Sequence, residues 1–546
     1  MFAKKKWLIT ILVLLVLYGF KQADEYFEIS KNLEIFSAVY KTVQSDYVDE
    51  VKPGDIMKTG IDAMLKSLDP YTNFYTESQA EDAMIRQRGE YGGVGCRSKK
   101  IGEYICITNV FKGLAADKSG LRIGDKIIEI NGKSFVNKTD DEVSDVMKGS
   151  PGSKINLTIE REGKRIPIEI TREEIKINNV TYSGLINEKT GYIRLDHFTM
   201  GAGTEVKEAL LRLKSQGISQ LVLDLRDNGG GLLHEAVNIV NIFVDMDETV
   251  VVSRGRAQDA YRAYKTLDRP IDKEIPLIVL VNERSASASE IVCGAIQDLD
   301  RGLVIGANTF GKGLVQGIRP LPYRTQMKVT IAKYYIPSGR CIQLLDYSNK
   351  DENGKAKSVA DSLKREFKTR NGRSVFDGGG VKPDIEVKLP KTAQIITDLE
   401  NSFLFFDFAN QYRNSIEHIS SIKDFKIDEN IFNSFVDFVS KKSFSSKNKS
   451  EINLDKLKES LREDSLFNSE LNTSISNLEL KLLEAKKAEL LKHKVEIKKR
   501  LLTEIGIRYY FEDGFFESSF LHDPYISETL EVLSQTSKYN NLLNTK

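Results

Sequence analysis

Between residues 175 and 390 the chain alternates strand and helix, and this rhythm limits the possible folds more than any other feature. Gly191–Phe198 reads as a strand, Glu205–Lys214 as a helix and Gln220–Leu225 as a buried strand. The glycine-rich run Asp227-Asn228-Gly229-Gly230-Gly231 follows, then a helix over Leu232–Phe243. Pro276–Val281 is another apolar strand and Met327–Tyr334 a later one. Strand–helix alternation of this kind predicts an α/β core whose chemistry sits at the C-terminal ends of its strands.

Reactive side chains follow those predicted strands. Ser-Ala-Ser-Ala-Ser-Glu occupies 285–290 and Phe-Gly-Lys-Gly occupies 310–313, with no histidine in or between them. A serine hydroxyl is a poor nucleophile until a base takes its proton, and Lys312 is the economical base. The residues alone do not choose among Ser285, Ser287 and Ser289. Ser287-Ala-Ser-Glu290 also fits a capping box, with Ser287 at N-cap and Glu290 at N3. Glu290 is therefore read as support for a helix start.

The segments Val281–Ile291 and Asn308–Gln316 resemble the catalytic segments of C-terminal processing peptidases, tail-specific serine proteases with a Ser–Lys dyad and a PDZ domain. In this chain Ser287 precedes Lys312 by 25 positions and Gln316 follows it by four, which is that family's spacing. The resemblance, covering roughly residues 30–390, implies Ser287 as nucleophile, Lys312 as general base and Gln316 as the residue that orients the lysine. Leu223–Gly231 resembles the family's oxyanion loop, with Gly229 where the family usually has proline. It implies backbone donors at Gly230, Gly231 and Ala288; glycine lets the chain approach an oxyanion closely. The implied core is related to crotonase and the Clp protease. A lysine near its ordinary pKa of about 10.4 is charged at neutral pH, so Lys312 needs the apolar surroundings that Phe310, Leu314 and Val315 offer.

Residues 88–174 resemble a PDZ domain. Asn131-Gly132 is a strong hairpin turn, Asp140–Met147 a short helix, and Ile155–Glu160 and Arg165–Thr171 alternating strands joined at Glu162-Gly163. Tyr91-Gly92-Gly93-Val94-Gly95 reads as a glycine-rich loop. The resemblance implies that its backbone N–H groups hold a ligand's terminal carboxylate while the peptide adds as a strand. Residues 25–87 read as helical, and 391–546 as a solvated, Lys/Glu-rich helical extension carrying no chemistry, with helical spacing over Leu478–Ile505.

The resulting architecture is α/β: a crotonase/Clp-protease-like core over 175–390, an inserted mostly-β PDZ domain, and helical N- and C-terminal regions. About three to four domains suit 546 residues. A net charge of +1 gives no electrostatic case for nucleic acid. The four cysteines lack paired zinc-ligand spacing, so neither metal nor cofactor is expected. Cys96 and Cys106 flank a predicted hairpin turn; free buried thiols are favoured over a bridge between them. Lys4–Lys6 ahead of the apolar run 7–20 mark residues 1–24 as a targeting segment, either cleaved or kept as a short inner-membrane anchor. The body is then expected outside the cytoplasm, on the periplasmic side of the cell envelope.

The expected partners are protein or peptide substrates with free, apolar C-termini. Two other readings compete. A Ser–His–Asp hydrolase would draw its base from His197, His234, His418, His493 or His522, but no Gly-x-Ser-x-Gly elbow accompanies any of them. A non-enzymatic PDZ scaffold would bind exported tails without cutting them.

Overall fold

A computed structural model describes residues 26–257, 260–442, 449–464, 466 and 468–544. The expected targeting segment, 1–24, lies outside the described residues. No helix among them is long and apolar enough to cross a membrane. The chain forms two compact units.

The first unit takes residues up to 80 together with 316–330. The predicted helices are present, over 26–46 and Pro53–Lys66. The Asp69 carboxylate then accepts from the amides of Tyr71 and Thr72, each at 2.8 Å, which fixes the expected turn. Strand Asn73–Tyr75 follows, antiparallel to Gln326–Lys328.

The second unit holds residues 81–315 and 331–546. Its PDZ portion is a six-stranded antiparallel sheet in the order Cys96–Ile101, Tyr104–Val110, Lys126–Ile130, Lys154–Arg161, Lys164–Thr171, with Lys133–Ser134 beside Lys126–Ile130. Asn131 and Gly132 both take positive φ, 50° and 75°, as a tight two-residue hairpin turn requires. Cys106 pairs in register with Lys99 and Cys96 with Val110, so the two cysteines are not cross-strand partners and stay free.

The peptidase portion is built on a second six-stranded sheet, ordered Val180–Leu185, Thr190–Leu195, Gln220–Asp224, Leu277–Val281, Leu303–Gly306, Ile385–Glu386. Only the first pairing is antiparallel. Helices Ala202–Ser215, Leu233–Asn241 and Ala288–Asp298 cover one face, around Ile193, Leu223, Val279 and Val304. Strands buried on both faces need a second cover, and the C-terminal helical region supplies it. Residues 394–505 do form their own core, around Phe405, Phe432, Phe435 and Leu501. Helices Pro524–Ser534 and Thr536–Asn544, however, pack on the open sheet face, with Ile526, Val532 and Tyr539 against Tyr192, Val222, Ile278 and Leu280. The predicted helical stretch Leu478–Ile505 is also interrupted: one helix ends at Lys492 and the next begins at Lys494.

Candidate active site

Three adjacent parallel strands, Gln220–Asp224, Leu277–Val281 and Leu303–Gly306, run the same way. Their C-terminal ends feed three segments: the glycine loop, the serine segment and the lysine loop. The sheet thus gathers residues 225–232, 282–288 and 307–313 along one edge.

The three serines have different fates. Ser285 and Ser289 are fully buried. The Ser285 hydroxyl donates to the Leu225 carbonyl at 2.8 Å, and that of Ser289 to the Asn228 carbonyl at 2.9 Å. Ser287 lies between them, partly exposed. It caps helix Ala288–Asp298 with φ 58° and ψ −114°. Such a backbone is strained for a residue with a Cβ, and strain of this kind collects at functional sites.

Glu290 does more than support a helix start. Its carboxylate is fully buried. One oxygen accepts from the Ser287 amide at 2.8 Å and from the Lys312 amide at 2.9 Å. The other accepts from the Thr309 hydroxyl at 2.6 Å and the Gly311 amide at 2.7 Å. A single side chain therefore ties the serine turn to the lysine loop. Burial pushes its pKa up to about 7 against the pull of these four donors. The Tyr334 hydroxyl adds a second tie, donating to the carbonyls of Ser287 and Lys312. Gly311, at φ 83°, sits where a Cβ would come within 2.5 Å of Leu344, so the loop turns there only with glycine. Of the apolar neighbours expected for Lys312, Leu314 is buried but Phe310 is 45% exposed.

Gly230 approaches the serine turn closely. A Cβ on it would lie 2.6 Å from the Ala286 carbonyl oxygen and 2.8 Å from the Ala288 nitrogen. Its own amide donates to Asn228 Oδ1 at 2.9 Å. Gly231 instead abuts the Phe198 backbone, so the loop presents Gly230, not Gly231, to the serine. Ala288 holds the first helical position, whose amide has no acceptor within the helix. Asn228 is the organiser that the sequence did not reveal. It is fully buried, donates to the Leu195 carbonyl at 2.7 Å, and accepts at its carbonyl from Ala286 and Ser289.

Beneath this loop lies a charged network. Asp224 is buried between the guanidiniums of Arg226 and Arg194, and the Tyr192 hydroxyl donates to it at 2.6 Å. Burial raises its pKa, but the two arginines outweigh burial and hold the carboxyl well below the usual carboxylate range. Arg226 also donates to Asp523 at 2.7 Å and stands 4.7 Å from the Tyr525 ring centroid.

The remaining expected site residues lie in other elements. Gln316 belongs to the first unit and donates to Thr330 Oγ1 at 3.4 Å. Tyr91–Gly93 do not form an open loop: they belong to strand Glu90–Gly93, paired with Glu173–Lys176. Only Val94–Gly95 turns, and Gly95, at φ 80°, is tucked against Leu114. Among the histidines, the His234 side chain is 59% exposed and faces Glu235, while His493 contacts Glu489. Burial lowers the pKa of His197 and of His522. No group of residues among those described could hold a metal ion.

Residues 189–347 match the family described as peptidase family S41, 83–160 a PDZ domain, and 395–533 the C-terminal helical domain of a probable PDZ-protease. A probable CtpA-like serine protease of Staphylococcus aureus (strain COL) is 32% identical over 394 residues, 70% of this chain and 71% of that protein. The chain belongs to peptidase family S41, among its PDZ-containing, serine-type processing proteases. The protein of the same description in strain bovine RF122 / ET3-1 is 33% identical over 362 residues, 66% of each chain. The chain thus spans about two thirds of the length of these curated relatives. A solved photosystem II D1 C-terminal processing protease matches at 27% identity and a TM-score of 0.34, covering 65% of this chain and 94% of that one.

Proposed function

We propose that this chain is an exported endopeptidase that cleaves proteins near their C-termini through Ser287 and Lys312. The observation that carries the reading is the single Glu290 oxygen shared by the Ser287 and Lys312 amides. Two segments 25 positions apart meet there, while the neighbouring hydroxyls of Ser285 and Ser289 are spent on backbone carbonyls. Ser287 attacks the scissile carbonyl, and neutral Lys312 takes its proton and returns it to the leaving amine. Gln316 orients the lysine. The Ala288 amide is the first oxyanion donor; Gly230 joins it once its amide leaves Asn228 Oδ1.

For tail recognition, Cys96–Ile101 is an edge strand of the PDZ sheet and helix Asp140–Met147 packs beside it. A peptide adding to that edge would bring its free, apolar C-terminus toward the Val94–Gly95 turn. The test is incubation of the protein with a substrate bearing an apolar C-terminal tail, for wild type and Ser287→Ala. Cleavage lost in the variant, with tail binding kept, supports the reading. Cleavage by the variant refutes it.

A further inference from the structure

Arg226 links the C-terminal extension to the glycine loop. Arg226 stands two residues before Asn228, the organiser of that loop. Its guanidinium is held on one side by Asp224, within the same strand-to-loop segment, and on the other by the extension. Asp523 accepts from Nη1 at 2.7 Å, and the Tyr525 ring lies 4.7 Å away. All three groups are largely shielded: the side chains of Arg226 and Asp523 are each 14% exposed, and that of Asp224 is fully buried. A planar guanidinium gripped by two carboxylates and an aromatic face has little rotational freedom.

From Arg226 the linkage runs into the site by short steps. The Leu225 carbonyl, one residue earlier, accepts the Ser285 hydroxyl. The Asp227 amide, one residue later, donates to Asn282 Oδ1, and Asn282 Nδ2 donates back to Asp227 Oδ1 at 3.0 Å. Asn228 then anchors both sides of the serine turn through Ala286 and Ser289. Asp523 also caps helix Pro524–Ser534, accepting the Tyr525 amide at 2.8 Å. That helix is clamped to the sheet by Ile526 and Val532, so Asp523 is a fixed point from which Arg226 is located.

We infer that Asp523 and Tyr525 are positioning residues for the oxyanion loop, so that the helical extension sets catalytic rate and not only stability. This inference rests on the proposed roles of Ser287, Ala288 and Gly230. The substitution Asp523→Asn separates the two functions, because asparagine caps a helix as well as aspartate does but carries no charge for Arg226. With the full chain and a tailed peptide substrate, Asp523→Asn and Tyr525→Leu should each lower kcat by about tenfold or more, as a small misplacement of a reacting group does. KM should change less than kcat, because an interaction that positions reacting groups is felt mainly in the transition state.

A control loosens the same extension without touching Arg226. The Tyr539 hydroxyl bonds the Leu277 amide and carbonyl at 3.0 and 3.2 Å, so Tyr539→Phe should lower the melting temperature and leave kcat unchanged. Wild-type kcat in Asp523→Asn or in Tyr525→Leu overturns the inference. So does an equal loss of kcat in Tyr539→Phe, which would reduce the effect to general loosening. Ser287→Ala run in parallel separates the two levels: cleavage by that variant sinks the proposed nucleophile, whereas an inactive Ser287→Ala beside a fully active Asp523→Asn sinks only the positioning role.

Discussion

Replacing Glu290 with glutamine tests the junction between the serine turn and the lysine loop. The carboxylate receives four donors, two on each oxygen. Glutamine keeps one oxygen, and its NH2 group then faces two donors that have lost their acceptor. Each buried donor left unsatisfied costs about 1–3 kcal/mol, so the loss is about 2–6 kcal/mol. Against it stands the expense of ionising a buried acid. The pKa rises from 4.5 to about 7 in the folded protein, about 3 kcal/mol at 1.36 kcal/mol per unit.

The sign follows from proton linkage. The folded state holds the Glu290 proton more tightly than the unfolded chain does. That contribution is fully present below pH 4.5 and is lost as pH rises through about 7. Glutamine does not titrate, so the stability gap between wild type and Glu290→Gln should be widest near pH 4.5. It should shrink by about 3 kcal/mol by pH 8. Activity should move the other way in the wild type: protonating an oxygen displaces one of its donors, so kcat should fall as pH drops below about 7. Glu290→Gln should lose about a hundredfold in kcat above pH 7, since misplacing reacting groups by about 1 Å costs that much, and the gap should narrow at lower pH as the wild-type carboxylate is protonated. Chemical denaturation at several pH values, with peptide-cleavage rates, measures both. Wild-type kcat in Glu290→Gln, or a stability gap independent of pH, would show that the carboxylate does not join the two loops.

Lys312→Arg should be nearly inactive despite keeping its charge, because guanidinium does not release its proton in the working range; His234→Ala should cleave at close to the wild-type rate in the same peptide assay. Amidating the tail of a test substrate should slow cleavage with the sequence around the cut unchanged, and equal rates for acid and amide would rule out carboxylate recognition. Ile526→Ala, at a fully buried contact between the extension and the sheet, should cost about 2–5 kcal/mol in denaturant unfolding.

The α/β core was legible because buried strands and helices announce themselves by runs and spacing. Gln220–Leu225 and Pro276–Val281 lie within a residue or so of the observed strands. The turns at Asn131-Gly132 and Glu162-Gly163 were equally readable, since few residues accept positive φ. Family spacing singled out Ser287, but the reason Ser285 and Ser289 differ from it lies in contacts across about 60 residues, which no local pattern carries. Glu290 was visible as a cap, whereas its reach to Thr309, Gly311 and Lys312 was not. The role of helices Pro524–Ser534 and Thr536–Asn544 was hidden for the same reason: their apolar positions announce a packed face without saying which surface it meets. Tyr91–Gly93 misled because glycines that suit an open loop also suit a strand pressed against backbone; a Cβ on Gly92 would lie 2.0 Å from the Gly149 carbonyl oxygen.

The proposed mechanism requires that Ser287 form the acyl-enzyme with Lys312 as its base. The most direct measurement is the reaction of the full chain with an activated ester, followed by proteolytic digestion and mass spectrometry of the acylated peptide. One acyl group is expected on Ser287 in the wild type and none in Lys312→Arg at neutral pH. Acylation of Ser285 or Ser289, or undiminished acylation of Ser287 in Lys312→Arg, would contradict it.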